Sequence, residues 1–171
     1  MENKKEKIAD FKTAISSTVR SLSNSEKIEV EKCSFFSEPR YASKHYKPLS
    51  GDENNHHVLV SWLLDSSLNP VDKMEAKLIE SILLENSASP LSKALEVTKI
   101  GNVPSDMTGF DTYKKQMYFT AGLEGVAKNR EKDVERLIID VFNDLYENGI
   151  PQDLIQTSLH QLEIKLKKIR K

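Results

Sequence analysis

The sequence predicts an α+β fold in which helices pack on one face of a mixed or antiparallel sheet. Apolar residues recur at three- and four-residue steps in several segments, and two other segments are extended and strongly apolar. The predicted order, α-β-α-α-β-β-α-α, groups helices and strands instead of alternating them, which is typical of α+β proteins. The 171 residues suit one domain. We expect that domain to span 1–171, with a looser helix and connector over 1–55 and the core over 56–171.

The N-terminal part contains one predicted helix and a mixed connector. A helix over about 7–22 is indicated by the spacing of Ile8, Phe11, Ile15, Val19 and Leu22. In the connector, KIEVE alternates briefly and RYASKHYK (40–47) is a candidate edge strand, while Pro39 and Pro48 interrupt the pattern.

The segment HHVLVSWLL is the strongest strand candidate. Apolar side chains occupy both of its faces, with Val58, Val60 and Trp62 on one and Leu59 and Leu63 on the other. A strand that is apolar on both faces is usually covered on both, so we expect it at the centre of the sheet.

Two helices with the same kind of start follow this strand. Asn69 and Ser89 are predicted caps, and each precedes a proline, Pro70 or Pro90, that suits the first helical position. Gly101 follows the second, shorter helix. The first helix is expected to bury Val71, Met74, Leu78, Ile79, Ile82 and Leu83.

The middle of the chain predicts a loop and a hairpin. Residues 102–115 are polar and lead into the strand KQMYFTAGLEGV, and 112–128 is expected to form much of the hairpin. The run GLEG, Gly122 to Gly125, is too short for a dinucleotide-binding loop. It indicates a bulge or a close approach of two backbones.

Two helices close the chain. The first is expected to end at Gly149, where a left-handed backbone costs glycine little, and Pro151 opens the second. The first is expected to bury Val134, Leu137, Ile138, Val141, Phe142 and Leu145. The second is expected to bury Ile155, Leu159, Leu162, Leu166 and Ile169.

Charge and hydropathy exclude two classes of partner. The chain has 25 basic and 26 acidic residues, a formal net charge of −1, whereas nucleic-acid binders usually carry a basic excess. No apolar run approaches the ~18–20 residues of a membrane-spanning helix. We expect neither a nucleic-acid partner nor a membrane partner. The aromatic and basic stretch FFSEPRYASKHYK could still grip a single strand, and KLKKIRK is better explained by cations at a helix C-terminus.

Cys33 is the only cysteine, so no internal disulfide is possible and a reducing, intracellular compartment is expected. No histidine lies close to it in the sequence. We interpret it as a half-buried structural cysteine and not as a nucleophile.

The closing helix contains an H-x-x-E sequence at His160 and Glu163, one histidine short of a zinc-protease motif because Ile164 follows. At 100° per residue, His160 lies roughly 140° from the predicted buried stripe. That position indicates a solvated histidine, and catalytic zinc needs three protein ligands.

The other histidines do not supply the missing ligands. His56 and His57 are neighbours on a strand and would face opposite sides of the sheet, and His45 is isolated. The sequence also lacks a nucleophile elbow and a glycine-rich phosphate loop. We therefore predict that this chain contains no catalytic, metal-binding or cofactor-binding residue.

Several stretches, taken in order, resemble one family: VSWLLDS, SPLSKALE, MYFTAGLEGVAK, ENGIP and SLHQLEIKLK. Over residues 58–168 the chain is similar to the second, non-catalytic domain of metallopeptidases of the presequence-protease or falcilysin type, in the insulinase–pitrilysin group. It departs from the family at Glu85-Asn86, where Gly-Pro is usual, and the opening strand that is usual in the family is missing before residue 7. We therefore expect a fragment of a larger peptidase.

The resemblance implies a LuxS/metallohydrolase-like fold and an architectural role. The parent enzyme would enclose short unfolded peptides in a chamber and hold zinc in its first domain, while the second domain supports the first and forms chamber wall. Expected partners are the other domains and peptide substrates, in a bacterial cytoplasm or a mitochondrial or plastid matrix. The alternatives are a protein- or peptide-binding scaffold, an inactive partner subunit of such a peptidase and, less favoured, a free-standing hydrolase. Ile164 would contact the rest of the enzyme.

Overall fold

The computed structural model of the protein describes residues 31–46, 56–66 and 69–169. The helix expected over 7–22 lies outside the described residues, as does KIEVE up to its last residue. The bounds of the described elements, in chain order, are β1 (His56–Ser66), α1 (Pro70–Leu84), α2 (Pro90–Val97), β2 (Val103–Pro104), β3 (Gly109–Asp111), β4 (Gln116–Val126), α3 (Glu131–Asn148) and α4 (Gln152–Ile169).

This architecture confirms the predicted α+β class, with one short strand more than the sequence indicated. Strand β2 has two residues, too few to leave a periodic pattern in the sequence. The predicted hairpin exists as β3 and β4, but its first arm begins at Gly109 instead of residue 112. RYASKHYK is not a strand over residues 40–46, because that segment is paired with no described strand.

Strand β4 is the central strand of the described sheet. It pairs antiparallel with β1 along one edge and with β2 and β3 along the other. The central position predicted for β1 is therefore wrong within the described residues. The misleading residue is Leu59, which lies opposite Gly122. Leu59 is partly sheltered there because Gly122 has no side chain, and not because a second layer covers it.

A bulge bends β4 near its end, as the GLEG run predicted. His56 pairs with Val126 but Val58 pairs with Leu123, so β4 holds one extra residue in this interval. Gly125 lies in the interval with φ +69°, a conformation that glycine adopts readily.

The predicted helix starts are confirmed, and their capping differs. Asn69 Oδ1 accepts a hydrogen bond from Val71 N at 3.0 Å, which caps α1. The Ser89 hydroxyl is buried and does not cap α2. It accepts instead from Asn86 N at 3.1 Å and donates to Ser81 O at 3.4 Å, and so fastens the α1–α2 connection.

The core lies between the helices and one face of the sheet. Helix α3 packs as predicted, with Val134 and Ile138 fully buried and the rest of its stripe against the core. It ends at Gly149, where φ is +77°. The buried cluster consists of Leu83, Leu91, Leu95, Phe119, Ala121, Leu123, Val126, Val134 and Ile138.

The stripes predicted for α1 and α4 are partly wrong. Helix α1 buries Ile82 and Leu83, but Val71, Met74 and Ile79 are exposed. Helix α4 buries Leu154 and Ser158. Leu159 is 48% exposed and Leu166 40%, and the side chain of Ile169 is not described. At 100° per residue, the buried face of α4 is turned about 70° from the predicted stripe.

Small and polar residues explain this difference. Ser81 and Ser158 are both buried, and Gln161 Nε2 of α4 donates to Asn86 Oδ1 at 3.1 Å in the connection that follows α1. Such residues do not count as core in a hydrophobic pattern, although small side chains let two helices approach closely.

Candidate functional site

The sheet face turned away from the core is the candidate functional surface, and we call it the helix-free face. No described helix packs on it. Side chains alternate along a strand, so Ser61 of β1 and Thr120 of β4 share this face while Val60 and Phe119 point into the core. The hydroxyl groups of Ser61 and Thr120 lie 2.9 Å apart and link the two strands.

A histidine cluster ties three elements together on this face. His57 Nε2 lies 2.6 Å from Ser105 Oγ and 3.7 Å from Glu124 Oε1. Ser105 is buried and its Oγ also accepts from Met107 N at 3.1 Å, within the connection after β2. The cluster therefore joins β1 and β4 to the β2–β3 connection.

These residue types resemble a nucleophilic triad, but their arrangement does not. In a triad the serine and the acid contact opposite ring nitrogens of the histidine, so that the acid orients the ring that takes the serine proton. Here Ser105 and Glu124 both approach Nε2 of His57. This cluster could not be found from the sequence, because His57 and Ser105 are far apart in the chain and match no motif.

A second polar cluster closes the β3–β4 hairpin. Tyr118 donates to Asp111 Oδ2 at 2.8 Å, and Lys114 Nζ donates to the Tyr118 hydroxyl at 3.0 Å. The hydrogen bond from Tyr118 and that from the Tyr113 amide hold the pKa of Asp111 below its usual range. Asp111 thus favours the folded hairpin above the range in which an unfolded aspartate titrates, and this effect is lost as pH falls through its lowered pKa.

The sequence-predicted site residues are not brought together. His160 is exposed on the outer side of α4, as its helical phase predicted. Glu163 pairs with Lys167 at 2.6 Å, and that hydrogen bond lowers the pKa of Glu163. His45 is exposed, and Cys33 is exposed instead of half-buried, because its segment lies outside the core. The predicted half-burial of Cys33 is wrong.

The described part of the chain contains no group of three histidine, cysteine, aspartate or glutamate side chains that could hold a metal ion. It also contains no helix long and apolar enough to cross a bilayer.

Two residues that depart from the family pattern hold α4 in place. Glu85 and Asn86 stand where the resemblance leads one to expect Gly-Pro, and both contact α4. Lys165 Nζ donates to Glu85 Oε1 at 2.5 Å, and Gln161 donates to Asn86. Partial burial is the largest single influence and would raise the pKa of Glu85, but the hydrogen bonds from Lys165 and Ser81 and the charges of Lys165 and Lys77 together outweigh it and lower the pKa. Lys167 and Lys168 lie in the last turn of α4, where cations complement the helix dipole.

Ile164 is 40% exposed, which gives a direct test of how α4 is oriented. We expect Ile164→Asp to change the free energy of unfolding of the 171-residue chain by less than about 0.5 kcal/mol, and to impair the full-length protein if this surface contacts another domain. Urea denaturation of the chain checks the first part. As a control, Leu154→Asp places a charge at a buried position and should unfold the chain. Unfolding by Ile164→Asp would show that its assigned helix face is wrong.

The elements and the sheet define the class of this protein as an α+β domain. The chain belongs to the family described as the Peptidase M16 inactive domain, which matches residues 6–162. The predicted membership in the insulinase–pitrilysin group, as a non-catalytic domain, is confirmed.

The relatives are long proteins of which this chain is a small part. A presequence protease of Arabidopsis thaliana, named chloroplastic/mitochondrial, is 33% identical over 149 residues, 84% of this chain and 13% of the relative. The mitochondrial presequence protease of Xenopus tropicalis is 32% identical over 118 residues, 69% of this chain and 12% of the relative. That of Mus musculus is 32% identical over 110 residues, 64% and 11% of the two chains. The chain thus spans about an eighth of these relatives.

Proposed function

We propose that this chain is a non-catalytic, architectural domain of a zinc-dependent metalloendopeptidase that degrades short unfolded peptides. The match of residues 6–162 to an inactive peptidase domain carries the proposal. The names of the relatives support it, since presequences are peptides and the relatives are called proteases. Residues 1–171 would form one such domain, with 56–171 as its core.

In this proposal the zinc is held by another domain of the same protein, and no residue of this chain takes part in bond cleavage. The domain's partners are the other domains of the peptidase, and peptides contact it as they occupy the chamber. A mitochondrial or plastid matrix is consistent with the relatives' names, and a bacterial cytoplasm would suit the same chemistry.

The helix-free face is the part of the domain best suited to line a chamber. The helices cover the opposite face of the sheet, so the core is complete without any addition to this one. Its surface carries Ser61, His57 and Glu124, which make hydrogen bonds or ion contacts within the face. A wall of this kind excludes folded proteins through the size of the chamber, and needs no reactive group.

Conservative changes in the histidine cluster distinguish a structural role in the chamber wall from a catalytic role. In the full-length protein, His57→Gln and Glu124→Gln should each leave kcat within about twofold and leave the bound zinc unchanged, because neither side chain would touch the reacting atoms. Steady-state peptide cleavage and metal analysis measure the two quantities. A drop in kcat of about 100-fold or more with zinc retained would assign catalysis to this chain and contradict the proposal.

A further inference from the structure

Residues 34–45 form an exposed segment with several aromatic side chains, which we call the aromatic arm. Every residue of the arm is exposed, including Phe35 at 62% and Tyr41 at 77%. Phe36 is also exposed, but Arg40 covers one side of its ring, with the guanidinium 4.0 Å from the ring centre. Of the two phenylalanines of the arm, Phe35 is therefore the one with less contact to its own domain.

The arm is held at defined points, so its position is not arbitrary. The Gln116 side chain accepts from Cys33 N at 2.7 Å and donates to Cys33 O at 3.0 Å, as a neighbouring strand would. Further along, the Tyr41 hydroxyl donates to Glu135 Oε1 at 3.3 Å. Gln116 begins β4 and Glu135 lies on the helix that follows β4. The two anchored positions are eight residues apart, with a bend at Ser37 and Glu38, and residues 39–45 after it contain no bend or turn.

The backbone of the arm is paired with no described strand. No residue of the arm makes a backbone–backbone hydrogen bond with the described part of the chain. The sequence pattern of RYASKHYK nevertheless favours a strand, and residues 39–45 contain no bend or turn. A segment with a strand-forming sequence and no backbone partner among the described residues is suited to join a sheet edge.

We propose that the aromatic arm docks onto another domain of the same peptidase, pairing its backbone with a sheet edge there and burying Phe35 in an apolar groove. The inference rests on the proposed function. The docking partner is inferred from the length of the relatives. The chain covers only 12–13% of the matched relatives, so most of such a polypeptide lies outside it. The single-strand nucleic-acid interpretation of the same stretch is weaker, because Glu38 lies among its cations and the net charge of the chain is −1.

Photocrosslinking in the full-length protein tests the arm. With p-benzoylphenylalanine at position 35, we expect crosslinks to residues of the same polypeptide beyond 1–171, located by mass spectrometry. The same probe at Tyr113, which is 96% exposed in the β3–β4 connection, serves as the control for random capture. Crosslinks from position 35 that stay within 1–171, join two copies, reach nucleic acid or match the Tyr113 pattern would each overturn the proposal.

Hydrogen exchange tests the pairing itself. In the full-length protein the amides of 34–45 should exchange at least about tenfold more slowly than unstructured amides. Exchange at the unstructured rate would overturn strand pairing. Ala42→Pro and Ser43→Pro remove donors that point to opposite sides of a strand, so only one should reduce the crosslink from position 35. Equal effects of the two proline substitutions on the crosslink would also overturn strand pairing. The kcat measurements on the His57 and Glu124 variants do not depend on the arm. They therefore test the proposed function independently of the docking of the arm.

Discussion

Gly122→Ala is expected to lower the free energy of unfolding of the chain by about 3 kcal/mol, a large loss for one added methyl group. A Cβ at this position would lie 2.1 Å from the Val58 carbonyl oxygen and 2.8 Å from Leu59 Cδ2. The side chain of Leu59 can rotate away, but the carbonyl belongs to the backbone of the neighbouring strand. The two strands would have to separate where β1 and β4 pair, so urea denaturation should show the loss directly.

Two further variants identify the cause of that loss. Thr120→Val, on the same strand and face, replaces only the hydroxyl that contacts Ser61 by a methyl group and should cost about 1 kcal/mol. Leu59→Ala combined with Gly122→Ala should not restore stability, because the contact with the Val58 carbonyl remains. Full restoration by the double variant would contradict the backbone explanation and assign the effect to the leucine side chain.

The fold could be predicted from the sequence where one residue type forces one local structure. Asn-Pro at residue 69 and Ser-Pro at residue 89 place two helix starts, since proline suits the first helical position and lacks only an amide that the helix leaves unpaired. The end of α3 followed from Gly149, and the bulge in β4 from Gly125. In each case a single residue determines the local backbone conformation.

The sequence was less informative where packing between elements decides the outcome. The exposed Leu159 and the buried Ser158 differ by one position on α4, and hydrophobicity alone ranks them in the wrong order. Close contact between α1 and α4 favours the small serine. The central position predicted for β1 was wrong for a similar reason. Leu59 lies against Gly122, which has no side chain, and not under a second layer of the structure.

The same difference between local structure and packing between elements applies to the candidate surface. Helical phase placed His160 on the outside of α4 correctly, because a single helix suffices to determine it. The contact between His57 and Ser105 could not be predicted, since it needs the register of β1 on β4 and the path of the chain after β2. Both findings are consistent with a domain whose contribution comes from shape and support.

Phe119→Ala is expected to have the other large effect, a loss of about 3–5 kcal/mol. Phe119 is buried at the centre of an aromatic cluster, with ring centres 4.6 Å from Phe110, 5.9 Å from Trp62 and 6.1 Å from Phe142. It thereby connects β4 to β3, β1 and α3. Removing it leaves a cavity against three elements that the sheet's hydrogen bonds hold at a fixed spacing, so the core cannot close over the space.

The tryptophan of this cluster provides the measurement. Trp62 is the only tryptophan, so its fluorescence reports this part of the core alone. Phe119→Ala should lower the urea midpoint and shift Trp62 emission to longer wavelength as water approaches the ring. Phe119→Leu keeps most of the volume and should cost less than about 1.5 kcal/mol with little spectral change. If alanine and leucine cost the same, the aromatic cluster does not connect the sheet to α3, and the stability of the domain must come from the aliphatic contacts of α2 and α3 instead.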